Sequence, residues 1–101
     1  MKTIENKKIN IPGEIKKYSD LIMLCVKNPS QGGLDILEMR KRIKVIDIIE
    51  KGGKSFDFED ADFECIKECV GNMRWVFPHK EIINFVDYIS NNGKSNIPAK
   101  N

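Results

Sequence analysis

The sequence lacks any long hydrophobic run. Its longest, LIMLCV at 21–26, falls far short of the roughly 20 residues that span a bilayer, and the opening MKTIENKKIN has no apolar core of a secretory leader. These absences point to a cytoplasmic protein with no membrane partner. Cysteine is scarce: Cys25, Cys65 and Cys69 are three in number and show no framework spacing, as expected where thiols stay reduced. Histidine is scarcer, with His79 alone. Net charge is also small, at +2, too little to imply a polyanion partner by itself.

Motifs of common chemistry are missing as well. Gly32-Gly33 and Gly52-Gly53 are isolated pairs without the GxxxxGK[ST] spacing that aligns amides around a phosphate. The acidic run from Asp57 to Glu64 has neither the central glycine nor the twelfth-position glutamate of a calcium loop. Cys65 and Cys69, with Cys25 and His79 elsewhere, make a zinc set of three thiolates and one imidazole conceivable, but the paired short ligand spacings of structural zinc sites are absent. The two cysteines read as small buried hydrophobes. No signature surrounds His79 to make a Cys-His nucleophile pair. The expectation is therefore a non-enzymatic protein with no cofactor, no metal and no small-molecule substrate.

What is present is a single domain's worth of chain: 101 residues, 41% hydrophobic and 32% charged, a globular balance. Residues 1–13 read as a basic arm or short strand ending at Pro12-Gly13. Ile15, Tyr18, Ile22, Cys25 and Val26 fall on one side of a 3.6-residue period and predict a first helix over 14–27, stopped by Asn28-Pro29. Asp35, with Glu38 three residues on, predicts the capped start of a second helix over 36–51, ended by Gly52-Gly53. Ser55 to Phe58 reads as a strand or a helix lead-in. Phe63, Ile66, Val70 and Met73 predict a third helix capped by Asp57 or Glu59, and Ile82, Phe85, Val86 and Ile89 a fourth over 79–90, with Pro78 in its first turn. The predicted fold is all-α: a compact four-helix domain over 14–92, followed by a disordered tail over 93–101.

The second helix carries the functional question. Its core stripe is predicted as Ile36, Met39, Ile43 and Ile46, with Arg40, Lys44, Asp47 and Lys51 beside it. Val45, Ile48 and Ile49 then form a second apolar face, which either lies against further helices or is covered by another molecule. The favoured function is a protein–protein interaction module, binding another protein or itself through Arg40, Arg42, Lys44, Val45, Ile48 and Ile49. Trp75, and Phe77 beside it, serve either to close the core or to anchor the partner. The alternative is a nucleic-acid-binding regulator with a helix-turn-helix-like unit over 14–51, carried by Arg40, Lys41, Arg42, Lys44 and the N-terminal lysines. Asp35 and Glu38 at the helix start oppose phosphate there.

YSDLI (18–22), GGLDILEMRKRI (32–43) and the segment from DFEDADF to MRW (57–75) together resemble small accessory proteins of tailed phages and prophages, many without an assigned function. The resemblance implies a protein that binds a host or virion protein, or assists assembly, in the cytoplasm of the host cell.

Overall fold

The computed structural model describes residues 2–10, 17–28, 33–75 and 78–91. Ile11, Pro12, Gly13, Ile15, the Pro29–Gly32 turn, Phe77 and the tail, all used in the sequence reading, lie outside those residues. The order of elements is β1 (Lys2–Glu5), α1 (Tyr18–Lys27), α2 (Ile36–Glu50), β2 (Ser55–Phe58), α3 (Asp60–Asn72) and α4 (Lys80–Ser90). The fold is mainly α, as predicted, with one small sheet among the described residues.

That sheet realises the strand alternative at both of its ambiguous segments. β1 and β2 pair antiparallel, with Ile4 opposite Phe56 and Thr3 opposite Asp57. Period-two alternation then turns Ile4, Phe56 and Phe58 into the core, while on the outer face the Thr3 hydroxyl donates to Asp57 at 2.7 Å. Asp57 is thus engaged in the sheet, and Glu59 takes the N-cap position of α3 without a side-chain cap bond. The chain beyond β1 stays fastened: Tyr18 N–H donates to the Lys7 carbonyl at 2.9 Å, and Ser19 N–H to the Asn6 side chain at 2.9 Å.

α3 is the central element, packing against α1, α2 and α4. Its Phe63, Ile66 and Val70 meet Leu21, Ile22 and Val26 of α1 and Phe85 and Ile89 of α4 in one buried cluster. α2 starts as expected, with the Asp35 carboxylate accepting from Glu38 N–H at 2.7 Å, and ends where Gly52 and Gly53 take φ of 76° and 126°, a backbone that favours glycine. α4 starts one residue later than predicted. His79 is its N-cap, Nδ1 accepting from Glu81 N–H at 3.1 Å, and Pro78 precedes the cap.

The main correction concerns which side of α2 faces inward. The predicted core stripe is largely outside: Ile36 is 63% exposed, Met39 41% and Ile43 48%, and only Ile46 is packed partly against the core. Val45 and Ile49 are buried, with Ile48 half-buried behind them. The physical reason is that α2 follows α1 and precedes α3, both of which pack on its Val45–Ile49 side, so this apolar face is the covered one.

Candidate functional site

Turning α2 over leaves a groove of about 950 Å³ between α2 and α3. Its α2 wall presents Ile36, Leu37, Met39 and Ile43 with Arg40, Lys41 and Lys44 alongside; its α3 wall carries Ala61, Asp62, Glu64, Cys65 and Glu68. Leu37, about three turns before Ile48 on the same line of the helix, is nevertheless 66% exposed. Contiguous exposed apolar side chains of this kind, rimmed by charge, mark association surfaces on soluble domains.

The two walls have opposite sign. Lys44 spans them at one end, its Nζ 3.4 Å from Asp62 Oδ1 and 3.9 Å from Glu59 Oε1. Asp62 is itself buried, and its charge sits in the first turn of α3, where the helix dipole favours it. Along the rest of the groove Arg40 and Lys41 project from one side and Glu64 and Glu68 from the other, all exposed.

Arg42 does not belong to this rim. It is buried, and its guanidinium donates to the Asn28 carbonyl at 2.7 Å, to the Val26 carbonyl at 3.3 Å and to Glu38 at 3.3 Å. Those carbonyls belong to the end of α1, which has no intrahelical donors left to satisfy them. Of the four basic residues predicted as a surface, three are exposed and the fourth caps a neighbouring helix from inside. Trp75 is half-buried against the core, its ring edge-on to Phe85 at 6.5 Å, which matches the core-closing alternative.

Cys65 of the groove wall converges with Cys69 and Glu38, the ligand atoms of the three all within 4.8 Å of one another. A hydrogen bond between the two thiols holds the Cys65 proton and raises its pKa; the same bond lowers that of Cys69, with the Arg42 guanidinium assisting. Cys25, buried on α1, is pushed up to about 12, first by burial and then by the charge of Cys69. Spacing alone grouped the cysteines with His79, whose ring instead caps α4. It missed Glu38, whose place four before Arg42 predicts the ion pair seen here but gives no link to the cysteines.

No described helix is long and apolar enough to cross a membrane. No family profile matches the chain, and no curated protein or solved structure is significantly similar to it.

Proposed function

We propose that this protein acts by binding rather than catalysis, as a helical association module whose α2–α3 groove receives a second copy of the chain. The observation that carries the reading is the exposed apolar stripe of α2 lying between a basic wall and an acidic wall. Apolar area supplies affinity on association, and opposite charges beside it supply register. A two-fold axis running along the groove exchanges its walls, so that α2 of each copy lies over α3 of the other. Arg40 and Lys41 then meet the partner's acidic wall, and Glu64 and Glu68 its basic one, while Ile36, Met39 and Ile43 are covered. Self-complementarity of this type is what an isologous dimer requires. A nucleic acid fits less well, since the acidic wall repels phosphate beside the cations that would hold it.

Multi-angle light scattering tests the proposal. The wild-type chain is expected to show twice its monomer mass, and Ile43→Glu the monomer mass with an unchanged far-ultraviolet spectrum. Two charge variants, Arg40→Glu/Lys41→Glu and Glu64→Lys/Glu68→Lys, are expected to be monomeric alone and to pair when mixed. A wild-type mass that stays monomeric at the highest concentration reached, or charge variants that dimerise as well alone as together, overturns it.

A further inference from the structure

We propose that Glu38, Cys65 and Cys69 form a binding site for a thiolate-preferring divalent ion of the zinc class. The three ligand atoms come from two helices and already lie within 4.8 Å of one another. A tetrahedral zinc at about 2.3 Å from each sulfur holds two sulfurs roughly 3.8 Å apart and accepts a carboxylate oxygen at about 2.0–2.2 Å, so closure brings the sulfurs together by no more than about 1 Å. Side-chain rotation on two packed helices supplies a movement of that size. Cys65 and Cys69 are four apart in α3 and thus project from one face one turn apart.

Charge balance favours the same assignment. Two thiolates and the Glu38 carboxylate bring three negative charges into a site where both cysteines are buried; a divalent cation and the Arg42 guanidinium, 3.3 Å from Glu38, bring three positive ones. A buried cluster that sums to zero avoids the cost of an uncompensated charge. Arg42 Nε also donates to the Glu38 carboxylate at 3.3 Å, the role an outer partner plays for a metal-ligating group. Binding displaces the protons of the thiols to solvent, so affinity rises with pH. Three protein ligands leave a fourth coordination place for water or an incoming donor, and Cys65, which also lines the groove, joins the two sites. Soft sulfur donors select zinc over magnesium or calcium, which take oxygen.

The test uses the whole chain, reduced and stripped of metal, titrated with cobalt(II) as the spectroscopic probe and then with zinc in competition. One equivalent of cobalt is expected to give a saturating thiolate-to-metal charge-transfer band that zinc abolishes. Cys65→Ala, Cys69→Ala and Glu38→Gln are each expected to weaken binding by at least about ten-fold, and Cys25→Ala, which removes the cysteine outside the set, to leave both band and affinity unchanged. The wild-type spectrum needs no variant to fold, and circular dichroism sorts loss of ligand from loss of structure in the others. Absence of a saturable band, a band that survives Cys65→Ala, or one that requires Cys25 overturns the assignment. Because the readout is metal binding and not mass, its failure leaves the dimer proposal standing, and the reverse also holds.

Discussion

Arg42 shows how much one residue's role depends on what its neighbours in space leave unsatisfied. In sequence it is one of four closely spaced cations, and a charge run on a helix is ordinarily a solvated face. In the fold its guanidinium meets two carbonyls at the end of α1 and the carboxylate of Glu38, a set that a planar fork of donors matches and an ammonium does not. Arg42→Met keeps most of the apolar stem but leaves those carbonyls without donors, and is expected to lower stability by about 2–3 kcal/mol. Arg40→Met, on the exposed rim, is expected to change it by less than about 0.5 kcal/mol. Urea unfolding of both variants, read as a shift in midpoint at constant slope, checks the contrast; equal shifts would return Arg42 to the surface. Periodicity sets Arg42 three before Val45 and seven before Ile49, away from Arg40, but it cannot supply the reason for burying it, which is the end of another helix.

At the scale of elements most boundaries were legible, although α1 begins at Tyr18 behind an extended Lys17 and not at 14, and the orientation was not. The cap at Asp35 and the glycine pair after Lys51 delimited α2 to within a residue, since caps and stops act through the local backbone. The same 15 residues carry two apolar stripes, and a helical period cannot say which of them another element covers. β2 was ambiguous for a related reason: SFDF alternates, but four residues become a strand only when a partner edge arrives, and that edge, Lys2–Glu5, pairs with it across 50 to 56 residues of sequence. The candidate groove inherits this limit, being what remains when the Val45 face is chosen. Val45→Ala is therefore expected to cost about 2 kcal/mol of stability through lost burial and the cavity left behind, whereas Leu37→Gln costs close to nothing. Measured at low protein concentration, where association contributes little, comparable losses for the two would mean that the assignment of faces is wrong.

Across the whole molecule, the N-terminal segment joins elements far apart in sequence into one titrating core. Glu5 N–H donates to the Tyr88 hydroxyl at 2.9 Å, Lys7 Nζ lies 4.5 Å from the centre of the Tyr88 ring, and Tyr18 packs edge-on to Phe85 and tilted against Tyr88. Burial raises the pKa of both tyrosines and pushes Cys25 from 9.0 up to about 12. These groups are neutral when protonated, and their folded pKa values exceed the unfolded ones, so the unfolded chain releases its protons first as pH rises. Stability from them is complete below the unfolded value of each and is lost as pH climbs toward the folded one. For Cys25 that window is pH 9 to about 12, and three units correspond to roughly 4 kcal/mol by its upper end, a large part of the 5–15 kcal/mol typical of a small domain. Cys65, raised first by its hydrogen bond with Cys69, adds to this loss, whereas the contribution of Cys69, whose pKa is lowered, is complete at its unfolded value and does not change as pH rises further. Urea midpoints taken from pH 8 upward are expected to be flat up to about 9 and then to drop steadily, with a shallower drop in Cys25→Ala once its constant cavity cost is subtracted. A Cys25→Ala chain that loses stability with the same slope as wild type would show that the thiol on α1 is not held neutral by the core around it.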